Sequence, residues 1–317
     1  MVKVGGIAAA TAAVAALLGW LLLGVLHAPV AHDVPIAVIG SGAPVKHLAK
    51  ALDDSPRFQV TVVADGAAAR KLIADRKVYG AYAPKAKVGR VLTASAAGVP
   101  VVRLLRAAFA AIDAKRKVRT VVVDAKPLPA ADGAGVAAYL ATLVAVVIAV
   151  LAGWSLEVVA PSIRRGPLSV LGRIGVLAFI SLATGAIIAA LATQLGIYHG
   201  YYFEVAGALA LTTFGMALVT AVLTSLGGAI FGLVAGLSIF ILIGAVATSG
   251  GGSAPEYLTD TWRQIGSGLP ARSSIDLVRN VVYFDHEAIT TPLLVLGGYV
   301  VGGMVLMLGL SPFRRRA

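Results

Sequence analysis

Six long runs of apolar residues, almost free of charge, dominate this sequence: Val4–Leu26, Val136–Leu156, Leu168–Thr193, Val205–Ser225, Gly228–Thr248 and Pro292–Leu310. Each is close to the roughly 20 residues that an α-helix needs to cross the hydrocarbon core of a bilayer. Backbone amides at that depth find no water, so an isolated run must satisfy them internally as a helix. The composition agrees: 58% hydrophobic and 13% charged residues, against roughly 45–50% and about 25% in soluble domains. A globular enzyme of 317 residues has no interior large enough to hide that excess. The expectation is an α-helical polytopic membrane protein with six transmembrane helices and an α/β extracytoplasmic domain between helices 1 and 2. Its parts are a first helix over 1–27, the α/β domain over 28–135, and a five-helix membrane domain over 136–317. Only Leu226 and Gly227 separate the fourth run from the fifth, which predicts a tight antiparallel hairpin. The first run is longer than the apolar core of a cleavable signal and reads as a span.

Charge sorts the topology. The net +12 would point to nucleic acid on a soluble protein, but in a membrane protein the short loops are read first. Arg164, Arg165 and Arg173 follow the second span, and Arg314, Arg315 and Arg316 follow the sixth. Both sites fall on one face, and the positive-inside rule makes it cytoplasmic. The connection GIYHGYYFE has no Lys or Arg, and its Tyr198, Tyr201 and Tyr202 suit a membrane interface. The chain is then expected in the plasma membrane with both termini cytoplasmic and 28–135 outside. That outer segment carries 17 Lys+Arg against 8 Asp+Glu, and long domains translocate largely regardless of charge. The excess suits anionic headgroups or envelope polymers rather than nucleic acid.

Within 28–135 the pattern alternates. VPIAVIG, FQVTVVA, VYGAYA, GRVLTAS and RTVVVDA read as strands, with helices over 45–52, 67–76 and 100–116. Alternation of this kind predicts a largely parallel sheet covered by helices. Gly40-Ser41-Gly42 follows the first strand, where phosphate-binding loops sit, but position 45 is Val and the third glycine is missing. A turn is the simpler reading.

No GxxxxGK[ST], HExxH or GxSxG occurs, there is no cysteine, and no two histidines stand four apart. Nothing argues for an enzyme, a cofactor or a metal site. The spans contain almost no ionisable residue; Glu157, Arg173 and Glu204 fall near helix ends. A carrier driven by protons or ions places such groups mid-membrane, so cargo here would be apolar or lipid-like and energised from elsewhere. Gly228, Gly232 and Gly236 recur every four residues, as do Gly298 and Gly302. That spacing lines one helix face and predicts close helix packing, or else a sliding helix or a homodimer seam.

The segment 249–291 is too polar to span, yet Tyr257, Leu258, Trp262, Ile265, Leu269, Ile275, Leu277 and Val278 follow helical spacings. Short amphipathic helices broken at Gly266, Gly268 and Pro270 are expected to lie at the outer interface or dip into it. Asp276 and Arg279, three apart, are placed to pair.

Ser249-Gly250-Gly251, Pro255-Glu256, Trp262, Leu269-Pro270 and Asp276…Arg279 resemble the permeases of type 2 ABC exporters, most closely the YhgE/Pip branch. IAVIG, ADGAAARKLIADRKVYGAYAP and LTASAAG in the outer domain resemble the same pattern. The resemblance implies a dimerising six-helix bundle (homodimer or heterodimer) with an outer re-entrant segment. It also implies a loop at Arg164 and Arg165 that couples to a separate cytoplasmic ATPase. The chain departs from larger members in lacking a long coiled-coil insert. Two functions stay open: a permease-like subunit exporting a lipid, glycolipid or other amphiphile, and a non-transporting scaffold whose outer domain binds an envelope protein or polymer.

Overall fold

The computed structural model describes residues 30–159, 167–249 and 254–309, with the isolated positions 16 and 19. Nearly all of the first apolar run, Arg164, Arg165, Gly250, Gly251 and the arginines at 314–316 lie outside the described residues.

Residues 34–124 form the expected α/β unit, a five-stranded sheet in the order β2-β1-β3-β4-β5. Strand β1 (Val34–Ile39) is central, paired in parallel with β2 (Phe58–Val63) and β3 (Gly80–Pro84). Covered on both faces, it is apolar throughout, with Val34, Ile36, Ala37 and Val38 fully buried. Helix α1 (Ala43–Asp53) carries the chain from β1 to β2, and α2 (Gly66–Ala74) from β2 to β3. The Asp65 carboxylate caps α2 by accepting from the amides of Ala67 and Ala68 at 2.9 and 2.8 Å. Strand β4 (Val88–Thr93) is antiparallel to β3, because three residues cannot make a crossover. After helix α3 (Val99–Lys115), β5 (Arg119–Asp124) returns parallel to β4.

Under α3 the fully buried Asp113 carboxylate accepts from the hydroxyls of Tyr82 and Thr120 and pairs with Arg116 at 3.3 Å. Gly89 makes the room, since a Cβ there would overlap that carboxylate. Tyr82 stacks on Phe109 at 4.6 Å, and burial pushes its hydroxyl up to about 12.

Four helices among the described residues are long and apolar enough to cross a membrane: α4 (Ala137–Val159), Ser169–Gln194 of α5 (Pro167–Gln194), Tyr202–Ala247, and α10 (Thr290–Gly309). The third comprises α6 (Tyr202–Gly236) and the π-helical α7 (Leu237–Ala247), and it reverses at Gly228, whose φ is 84° and ψ 175°. In a straight helix Thr224 and Gly232 would stand about 12 Å apart. Instead a Cβ on Gly232 would overlap the Thr224 backbone, and one on Gly236 would lie 3.1 Å from the Thr220 methyl. The arms before and after Gly228 are therefore antiparallel neighbours. Trp154 of α4 donates its indole N–H to the Ala229 carbonyl at 3.0 Å, holding the turn.

Glycines set the tightest helix contacts, though only partly at the expected positions. A Cβ on Gly153 would lie 3.0 Å from the Ala217 carbonyl carbon, and one on Gly185 2.9 Å from the Ala210 amide. On Gly303 it would meet the Leu218 Cβ at 2.7 Å. Gly228 serves the turn rather than a packing face. Gly298 and Gly302 do not seal helices together: no described atom stands within 4 Å of where their Cβ would be. Spacing of four aligns small residues on one face but does not say which face the bundle uses.

Hydroxyls inside the bundle bond back to the carbonyl four residues earlier, as Ser181, Thr184, Thr213, Thr220 and Thr224 do. Glu157 of α4 and Arg173 of α5, both buried, form an ion pair with each other.

Candidate functional site at the junction of domain and bundle

The segment after α7 folds as a 3-10 turn (Pro255–Tyr257), α8 (Asp260–Ser267) and α9 (Pro270–Tyr283). Pro270 stands at the start of α9, where a missing N–H costs nothing. Helix α9 is sunk into the bundle, packed against α4, α6, α7 and α10. Its Ser274 hydroxyl meets those of Thr142 at 3.0 Å and Thr212 at 2.8 Å, joining α4, α6 and α9 through one polar knot. Gly266 lets α8 approach the Thr248 carbonyl, which would stand 2.5 Å from a Cβ.

The opposite edge of this segment grips the α/β domain. Arg76 lies just past α2 in the left-handed region, with φ 57°, and its guanidinium reaches α9. It pairs with Asp276 at 3.3 Å, donates to the Asn280 side-chain oxygen at 2.5 Å and lies 5.1 Å from the centre of the Phe284 ring. Asn280 in turn donates to the Ala288 carbonyl at 2.9 Å. Lys126 meets Asp285 at 2.6 Å, and Arg263 of α8 meets Asp33 at 3.4 Å. Tyr79 donates to the Glu256 carboxylate at 2.7 Å; burial, then the Glu256 charge, raises its pKa well above the ordinary tyrosine value. Ala254 and Phe284 complete the core of the α/β domain itself.

The expected Asp276–Arg279 pair does not form. Asp276 turns outward to Arg76 and to Arg272, 3.7 Å away, whereas Arg279 is buried and donates to the Gly135 carbonyl at 2.9 Å. Three residues of helix separate them by about 300°, and each follows a different neighbour. Burial, then Arg76, lowers the Arg279 pKa. Near it the Asp132 carboxylate accepts from the amides of Val136 and Ala137 at 3.0 and 3.1 Å, fixing the entry to α4. Burial raises the Asp132 pKa. The hydroxyls of Tyr198 and Tyr283 are buried beside this pair without a hydrogen-bond partner among the described residues. Burial pushes Tyr283 up to about 12 and raises Tyr198 as well.

Of the motif residues singled out in sequence, Pro255 and Glu256 line this junction, Leu269 and Pro270 open α9, and Trp262 is half-buried on α8. Ser249 bonds back to the Ala245 carbonyl. Sequence reasoning missed Arg76, Asn280 and Phe284. No local pattern marks them: the left-handed end of α2 at Arg76 shows only in the coordinates. Between domain and bundle lies a cavity of about 300 Å³, lined among others by Arg76, Lys77, Glu256, Arg272 and Asp276. No group of three metal-ligating side chains occurs among the described residues. No family model matches the chain, and neither a curated protein nor a solved structure matches it.

Proposed function

We propose that this chain is a permease-like subunit of a cell-envelope exporter that moves a lipid, glycolipid or other amphiphile, driven by a separate ATPase. The observation that carries the reading is α9, a polar-edged helix sunk into the end of an apolar bundle and tied to an α/β domain. A helix so placed can close or open the end of a membrane path when the domain moves. Glu157 and Arg173 form an ion pair and Glu204 sits in the first turn of α6, so no lone carboxylate stands at mid-span among the described residues, which favours an external energy source.

In this reading the arms around Gly228 count as two spans, and residues 4–26 supply a sixth. The α/β domain faces outward, both termini lie in the cytoplasm, and the loop with Arg164 and Arg165 docks the ATPase. The subunit works as a homodimer or heterodimer. A scaffold whose basic domain binds an envelope protein or polymer is the second reading, favoured by 17 basic against 8 acidic residues in 28–135.

Isolation from native membranes in mild detergent tests the choice. The exporter reading expects a nucleotide-binding partner that is lost in the double variant Arg164→Glu, Arg165→Glu. Recovery of no such partner defeats it. The scaffold reading expects that variant to behave as wild type and deletion of 33–130 to abolish partner binding.

A further inference from the structure

A second cavity is lined by residues that directly follow those of the first in the chain. It is an apolar groove of about 380 Å³ along α10, lined by Leu294, Gly298, Tyr299, Gly302 and Leu306 and closed at its top by Gly268. The two spaces share a helix face. Thr291 and Pro292 line the polar cavity, while Val295, Gly298, Tyr299 and Gly302 follow at spacings of three and four. They share a corner as well, since Ser267 borders the upper space and Gly268 the lower. Tyr299 donates to the Gly268 carbonyl at 3.3 Å and marks the boundary between them.

From Leu294 to Leu306 the groove runs about 18 Å, close to one leaflet of the roughly 30 Å hydrocarbon core. At Gly298 and Gly302 no described atom stands within 4 Å of where a Cβ would be, so a chain lying over them meets backbone. Above it the cavity holds three cations, Arg76, Lys77 and Arg272, against two carboxylates, Asp276 and Glu256. Arg76 is committed to Asp276, Asn280 and Phe284. Arg272 has a 3.7 Å contact with Asp276 and a 3.4 Å bond to the Arg263 carbonyl, which leave most of its five donors unused. Lys77 is largely exposed at the rim, near Asp75 at 3.6 Å.

We infer that cavity and groove together bind one anionic phospholipid, its phosphate held by Arg272 and Lys77 and one acyl chain laid over Gly298 and Gly302. The chemistry is that of an anionic head above an apolar tail, and neither space alone fits such a molecule. The inference needs only a membrane-embedded chain and stands apart from the transport reading.

Native mass spectrometry of the full chain in mild detergent, titrated with phosphatidylglycerol and with phosphatidylcholine, tests it. One phosphatidylglycerol per chain is expected, bound in preference to phosphatidylcholine. The variant Arg272→Ala, Lys77→Ala should weaken binding roughly tenfold or more, since each basic side chain near a headgroup counts. The variant Gly298→Leu, Gly302→Leu should weaken it comparably by filling the groove, with little change in melting temperature, since a Cβ at either position meets no described neighbour. Excess glycerol phosphate should not displace the lipid. Loss in only one variant, equal binding of the two lipids, or displacement by glycerol phosphate would overturn the inference. The absence of cysteine allows a further arm. Efficient disulfide formation between Ala15→Cys and Gly298→Cys would show that the first apolar run fills the groove, and would overturn it too.

Discussion

Arg76 and Asp276 stand 200 residues apart in the chain and 3.3 Å apart in space. One closes a helix of the α/β domain and the other opens outward from α9. Neither is more than a third exposed, so the pair couples domain to bundle rather than decorating a surface. In a double-mutant cycle with Arg76→Ala and Asp276→Ala, unfolding in detergent should show coupling of about 1 kcal/mol. Strict additivity of the two losses would show that the domain is held by its other contacts alone.

Asp132 gives a pH dependence with a definite sign. Its folded pKa is raised above the ordinary value of 3.8, so the folded state holds the proton more tightly than the unfolded one. Its contribution to stability is complete below the unfolded pKa and is lost as pH rises through the folded pKa. Asn keeps a side-chain oxygen to accept from the Val136 and Ala137 amides, so Asp132→Asn should keep α4 intact while removing this dependence. Melting curves from pH 3.5 upward should show the variant gaining on wild type. Parallel curves would mean that Asp132 titrates alike in both states.

Glu157 and Arg173 predict an asymmetry between single and double substitution. Glu157→Gln strands a buried guanidinium and should cost roughly 3–5 kcal/mol. Glu157→Leu with Arg173→Met removes both charges and should cost much less, because desolvation offsets much of the attraction in a buried pair. Equal losses in single and double variants, measured as thermal stability in detergent, would contradict this.

The hydroxyl of Tyr198 is buried without a hydrogen-bond partner among the described residues, and an unmet group of this kind costs about 1–3 kcal/mol. Tyr198→Phe should therefore be neutral or stabilising. A clear loss of melting temperature would reveal a bound water or ligand bridging Tyr198 to Asp132 and Arg279.

Gly228 carries φ 84° and ψ 175°, a conformation that side chains resist. Gly228→Ala should cost roughly 1–3 kcal/mol, although no described atom crowds the position. No loss would mean that the turn relaxes to another shape.

The α/β domain was nearly all legible, because its signals are local. VPIAVIG is apolar enough for a strand buried on both faces, and Asp65 marks a helix start two residues before Ala67. Between VYGAYA and GRVLTAS only five residues remain, too few for a parallel crossover, so the one antiparallel pairing in a sheet read as largely parallel could have been seen. The hairpin was legible too, with its turn falling at Gly228, just after the expected Leu226-Gly227. The junction was not. Arg76 looks like one more cation among 17, and only the folding of two distant segments assigns it Asp276 and Asn280. Asp276 and Arg279 failed for the same reason: spacing along one helix states what is possible, and tertiary neighbours decide what forms.

The turn at Gly228 bears on how the chain is made as well as how it stands. Neither arm of the hairpin carries a Lys or Arg, and nothing charged flanks the turn. During synthesis the arms from Val205 to Thr248 offer the insertion machinery no charge of their own by which to be oriented. On the proposed six-span reading they enter as one unit, with their direction inherited from the helices made before them. The Trp154 bond to Ala229 ties that unit to one of those helices.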